Sequence, residues 1–460
     1  AAALLLPLGP AGRRAALAEE EDAESVIARA EGARAGLRVP FYMYDGVLGG
    51  VDFRAAFSRL AECAANFSTY FELSRGMQEF SFIQSLQTHP WRVWSPSDAL
   101  IIVMPVATFD LAERHGLIGD VEVCAGYDAQ RLIGTITRTD LYDRRKSDHL
   151  LVAGHNFAAS FFEQTPWIVA SQHTVSASPS QRLLVSPYGT HRPAAGDLPS
   201  PSEPRRIRLF FGGGTAMYGN PERHPQGGQR LGYFIRTELV RGRGRMPPQS
   251  VLASSSHPAA RCDLEGATPC SEALDACGAR LDENAAGSTR CCLGRYHPNI
   301  LKAVQFALCP RGDNPSSPRL YEAVQHGAVP VLIADMAPIT SLPFQCWVPY
   351  AQFTLSLSEA TCLEGCWDAL DNLTASLPPS RVLRMRRLAA HFRRDLLWGL
   401  PGSRVAENLL LEAAHRHFPG RAGAAGAACP FGSQLETCVV WPSAQDHEEW
   451  TARRARCGVL

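Results

Sequence analysis

From Val304 to Asp335 the chain spells out one supersecondary unit, and that unit constrains the fold more than any other segment. Val304-Gln-Phe-Ala-Leu-Cys309 reads as a short apolar strand, and Val329-Pro-Val-Leu-Ile333 as a second, fully buried one. Between them, Arg311-Gly-Asp-Asn-Pro-Ser-Ser317 carries the residues that supply turn geometries and local side-chain hydrogen bonds. Ser317 followed by Pro318 signals a helix start, an N-cap and then proline in the first turn. The capping-box position after Ser317 is Leu320, so no acidic side chain closes that box. A strand–turn–helix of this kind aims backbone N–H groups and a positive dipole end at whatever lies above the sheet, commonly a phosphate. Arg311 and Arg319 add guanidinium forks that suit phosphate oxygens. Glu322 lies one helical turn after Arg319, on the same face, where a carboxylate can accept ribose or sugar hydroxyls.

The 45 basic and 45 acidic residues among 460 give zero formal charge, which argues against broad electrostatic binding to nucleic acid or an anionic membrane. The length favours about two or three domains. Residues 1–36 are low-complexity or stem-like, with a helix or flexible segment over 12–36. Residues 37–190 alternate short buried strands with amphipathic stretches, the pattern of a parallel sheet flanked by helices. In the first of those stretches Phe53, Phe57, Leu60 and Cys63 fall at helical spacing and read as core. A Pro/Ser/Gly-rich linker occupies 191–206, and a second α/β unit spans 207–400, interrupted by a Cys-rich insert at 246–295. Arg381 to Trp398 reads as a solvated basic helix with Met385, Leu388, Phe392 and Leu396 facing the core. Residues 401–460 receive no assignment.

Fourteen cysteines, clustered locally and never spaced Cys-x-x-Cys, read as disulfide staples of an oxidising lumen. Asn66-Phe-Ser68 and Asn372-Leu-Thr374 would be glycosylation acceptors there. No apolar run reaches the roughly 18 residues of a spanning helix. The opening Ala1-Ala-Ala-Leu-Leu-Leu-Pro-Leu-Gly is either the remnant of a signal or anchor region or a low-complexity start. No phosphate-loop motif and no His-Glu-x-x-His helix is present, and Gly212-Gly-Gly214 lacks the third glycine of a dinucleotide fingerprint.

Three pieces of the opening unit, Cys309-Pro-Arg-Gly312, Ser317-Pro-Arg-Leu-Tyr-Glu-Ala323 and Gly327-Ala-Val-Pro-Val-Leu-Ile-Ala-Asp335, together resemble the signature of the exostosin-type glycosyltransferases, family 47. Leu342-Pro-Phe344 continues it, and weaker matches run upstream through Val39-Pro-Phe-Tyr-Met-Tyr-Asp45, Ser97–Val106, Asp148–His155, Arg208–Gly213 and Gly232–Arg236. Ser317-Pro-Arg-Leu320 and Val331-Leu-Ile-Ala-Asp335 lean toward the plant-type xylan branch. The resemblance implies an α/β, GT-B-like architecture, two Rossmann-like domains facing a central cleft, with the nucleotide-sugar held by the C-terminal one.

It further implies an inverting hexosyl- or pentosyltransferase using a nucleotide-sugar, usually a UDP-sugar, and a glycan or glycoprotein acceptor. The expected place is the Golgi lumen, behind a type II membrane anchor, with a homo- or hetero-oligomer of related transferases as an available state. No two aspartates are two apart, so the metal-binding Asp-x-Asp motif is missing and the expected site is metal-free. Arg236, Arg311, Ser317, Arg319 and the helix head would carry the diphosphate, and Glu322 the donor hydroxyls. His155 is the candidate general base, with Asp148 and Asp110 as alternatives. Asn156 stands where many members have Asp, which leaves open a weak or inactive partner subunit.

Overall fold

The computed structural model describes residues 21–66, 76–109, 126–154, 161–176, 181–190, 198–213, 227–255, 289–293, 298–312, 315–420 and 429–433, with 111, 124 and 438–439. Two parallel sheets organise them. The first is built from β1 (Phe41–Met43), β2 (Ile101–Val103), β3 (His149–Val152), β4 (Ile168–Ser171) and β5 (Arg182–Val185), side by side in sequence order. The central strands are buried along their whole length, which is why they read as unbroken apolar runs. Helix α2 (Phe53–Ala65) follows β1. Asp52 caps it by accepting from the Arg54 and Ala55 N–H groups, and Phe53 and Leu60 face the core as their spacing predicts. Helix α3 (Met77–Gln87) packs beside α2.

The second sheet contains β6 (Ile207–Gly213), β7 (Ser250–Ser255), β8 (Thr289–Leu293), β9 (Val304–Pro310), β10 (Val329–Ile333) and β11 (Leu355–Ser356). Its strand order is β8-β7-β6-β9-β10-β11, every pair parallel. The chain therefore walks outward from β6 in one direction, returns, and walks outward from β9 in the other. Helices α4 (Gly227–Arg241), α5 (Pro318–Gln325), α6 (Glu359–Ala375) and α7 (Pro379–Leu396) flank it, and α8 (Val405–His417) follows α7. Cys262, Cys270 and Cys277 of the Cys-rich insert lie outside the described residues.

Of the two alternatives for residues 12–36, helix or flexible stem, residues 23–34 take the helix: α1 (Ala23–Arg34) buries Val26 and Ala30 and packs on α7. Two other readings change. Helix α7 is not simply solvated on its basic face. Arg386 and Arg393 are both buried, and their guanidinium groups donate to the carbonyls of Gly327, Ser200, Val324 and Pro199. Those bonds tie the described end of the interdomain linker to the C-terminal end of α5. The stretch after residue 400 gains a role through α8, which packs on α7, on α3 and on β5, so it bridges the two sheets.

Candidate functional site

Strand order in the second sheet reverses between β6 and β9, and open α/β sheets leave a ligand crevice at such a point, outside the carboxyl ends of the strands. β6 ends there in Phe211-Gly212-Gly213, and β9 runs into Arg311-Gly312. Helix α5 starts at the same edge. Ser317 occupies the cap position with extended backbone and Pro318 follows in the first turn, as expected, but the Ser317 hydroxyl makes no capping bond. Its buried Oγ has no hydrogen-bond partner among the described residues and lines a small pocket with Cys309, Pro315, Ser316 and Ser341. A buried hydroxyl left without a partner costs about 1–3 kcal/mol, so this one is suited to receive a ligand oxygen.

Arg319 reaches from the first turn of α5 to the end of β6. Its Nε donates to the Gly212 carbonyl and its guanidinium sits 5.6 Å over the Phe211 ring. A Cβ on Gly213 would overlap that guanidinium, so only glycine admits Arg319 here. Glu322, one turn along α5, is partly buried; burial raises its carboxyl pKa and Arg319 opposes the shift. The Cys309 thiol beneath feels both charges and is pushed up to about 12, chiefly by burial. Arg319 and Glu322 are thus brought together at the switch point.

Arg311 goes elsewhere. Its side chain is 4% exposed and its Nη1 lies 3.4 Å from Oε1 of Glu359, itself 2% exposed. Asp335, the last residue of the matched motif, accepts from the Glu359 N–H at 3.1 Å. Both residues therefore clamp the start of α6 to the carboxyl ends of β9 and β10. Arg311, expected as a phosphate ligand, thus has a buried carboxylate beside it at the carboxyl end of β9. Arg236 stays beside the turn. It lies one helical turn after Gly232, whose lack of a side chain lets α4 approach the Gly312 carbonyl, and its Nη2 is 3.4 Å from where a Gly312 Cβ would stand.

On the N-terminal side, His155 and Asp110 lie outside the described residues. Asp148 sits at the amino end of β3, with Oδ2 2.7 Å from Arg145 Nε. The sequence reading matched Arg208–Gly213 to the family strand without giving Phe211 or Gly213 a part in the site, and it missed Glu359.

Two Rossmann-like units, the second with guanidinium groups and a helix head at its switch point, define the GT-B-like class of α/β proteins. The chain belongs to the exostosin GT47 domain family, whose model matches residues 61–370. A probable glucuronosyltransferase of Oryza sativa subsp. japonica is 26% identical over 262 residues, covering 53% of this chain and 50% of that protein. The probable beta-1,4-xylosyltransferase IRX10 of Arabidopsis thaliana is 36% identical over 108 residues, covering 23% and 24%. The chain thus spans about half the length, or less, of these curated relatives. Among solved structures, the pneumococcal O-GlcNAc transferase GtfA in complex with UDP and GlcNAc aligns over 73% of this chain and 59% of its own, with 10% identity and a TM-score of 0.31. The lipopolysaccharide-biosynthesis glycosyltransferase WaaG aligns over 81% and 98%, with 11% identity and a TM-score of 0.30. Strand order, not these likenesses, defines the fold.

Proposed function

We propose that the protein transfers a sugar from a nucleoside-diphosphate donor, a UDP-sugar, to a hydroxyl of a glycan or glycoprotein, with inversion at the anomeric carbon. The observation that carries this reading is Arg319 laid across the switch point with Glu322 one turn behind it. In an inverting transfer the acceptor oxygen attacks the anomeric carbon opposite the leaving diphosphate and gives its proton to a base. The head of α5 with its Ser317 hydroxyl, Arg319, and Arg236 beside Gly312 would take the negative charge that builds on the diphosphate. Glu322 would hold donor hydroxyls and so fix the sugar for in-line attack. His155 remains the candidate base.

The Golgi lumen is the proposed compartment. Disulfides Cys63–Cys124, Cys346–Cys429 and Cys362–Cys366 support an oxidising one. Among the described residues no helix is long and apolar enough to cross a membrane. The test is transfer from a panel of nucleotide-sugars by the wild-type chain, Arg319→Ala and Glu322→Gln. Each variant is expected to lose about 100-fold in kcat/KM, the loss typical of one preorganised charge-stabilising group. Wild-type transfer left intact by both substitutions would remove the site, and no transfer from any donor would remove the function.

A further inference from the structure

Glu79, in the first turn of α3, is fully buried in the N-terminal unit. Its Oε2 accepts from the N–H groups of Thr108, at 2.6 Å, and Phe109, at 3.0 Å. Its Oε1 accepts from the Thr108 hydroxyl, at 2.8 Å, and from the Gly154 N–H. One carboxylate therefore collects four donors from two chain segments. Thr108 and Phe109 follow β2, and Gly154 follows β3, so both segments leave adjacent strands at the carboxyl edge of the first sheet. Gly154 is held at its carbonyl as well, because Gln172 Nε2, just past β4, donates to that oxygen at 2.7 Å.

Burying a carboxyl is expensive, and burial pushes this one up to about 7 despite four favourable donors. A structural acid needs only to satisfy its own neighbours; this one also joins two loops, holding Thr108 and Phe109 of one and Gly154 of the other. The residue after Phe109 is Asp110 and the residue after Gly154 is His155, the acceptor-side base candidates. Glu79 itself, with no exposed surface, reaches no substrate.

We propose that Glu79 is a positioning residue that fixes the two acceptor-side loops, after β2 and after β3, in one geometry for the transfer reaction. The inference rests on the transferase reading above. A side chain acting there governs attack by the acceptor and leaves donor binding at Arg319 and Glu322 alone.

The full chain with Glu79→Gln tests it, since glutamine keeps the shape but turns one acceptor oxygen into an NH2 facing N–H donors. Amide hydrogen exchange is expected to speed up together in peptides covering 104–111 and 150–157 and to stay unchanged over 304–325. Transfer kcat over acceptor KM is expected to fall at least tenfold, while donor KM and donor hydrolysis without acceptor stay within twofold. Thr108→Val, which removes one donor and keeps the loop N–H groups, serves if Glu79→Gln does not fold, and is expected to give a smaller shift in the same direction. Unchanged exchange in both loops, or donor hydrolysis falling in step with transfer, would overturn the proposal. A wild-type chain that transfers nothing would instead remove the transferase reading, and the exchange result would still decide whether Glu79 pins the loops.

Discussion

Arg311 and Arg319 stand eight positions apart in one motif and meet different partners. Arg311 leaves the end of a buried strand and finds Glu359, a partner 48 residues away, whereas Arg319 leaves the first turn of a helix and finds a backbone carbonyl at the crevice. Residue type and spacing carried the turn, the helix start and the pairing of Arg319 with Glu322. They could not show which guanidinium meets a distant carboxylate, because that is settled by tertiary contacts. The two arginines should separate cleanly on substitution. Arg311→Ala removes the buried cation beside Glu359 and is expected to cost about 3–5 kcal/mol in urea unfolding. Arg319→Ala should leave stability near wild type while transfer falls. Gly213→Ala makes the same point without touching a charge: its Cβ must displace the Arg319 guanidinium, so donor affinity measured by calorimetry should drop about tenfold, about the 1.4 kcal/mol of one lost hydrogen bond. Gly244→Ala, in open space, should leave it unchanged.

At the level of elements, the latch between α1, α7 and α8 is the part the sequence hid best. Asp395, fully buried near the end of α7, is 2.8 Å from Arg34 of α1 and 2.7 Å from Arg404, which in turn pairs with Glu31 of α1 at 2.7 Å. The apolar stripe of α7 was legible from its period. Its buried arginines were not, because the carbonyls that satisfy them come from the linker and from α5. The same holds for α1: a helix was one of its two readings, but its anchoring through Arg34 to Asp395 was not legible. Replacing Asp395 by alanine leaves two guanidinium groups facing a hole, and the expected loss is about 3–5 kcal/mol by chemical denaturation. Replacing Arg29, whose pair with Glu21 is open to solvent, should cost under about 1 kcal/mol. Equal losses at the two positions would show that the latch does not hold α1 to the fold.

Across the whole molecule, alternating apolar strands and polar stretches made two α/β units legible. The reversal of strand order that locates the crevice was not, since a strand's neighbours in a sheet leave little trace in its own residues. Nor could the sequence show which ionisable groups the packing would seal in, and these set how the fold responds to pH. Burial raises the carboxyls of Glu79 and Glu412 from 4.5 to about 7, so their contribution to stability is complete below about pH 4.5 and lost as pH rises through about 7. Burial lowers His149 from 6.5 to about 4 and His417 from 6.5 to about 3, so their contribution is complete above about pH 6.5 and lost as pH falls toward those values. Between about pH 4.5 and 6.5 the folded chain keeps two carboxyl protons that the unfolded chain has released. The unfolded chain keeps two imidazole protons that the folded chain lacks. The counts match, and from these four groups the stability has no slope with pH. Glu412→Gln upsets the balance to one against two, and stability should then rise by about 1.4 kcal/mol per pH unit across that window. Urea midpoints at pH 5.0, 5.5, 6.0 and 6.5 (chosen settings, about half a unit apart) read the slope independently of any fixed cost of the substitution. A flat profile in the variant would mean that the buried acids and imidazoles do not oppose each other as the packing requires.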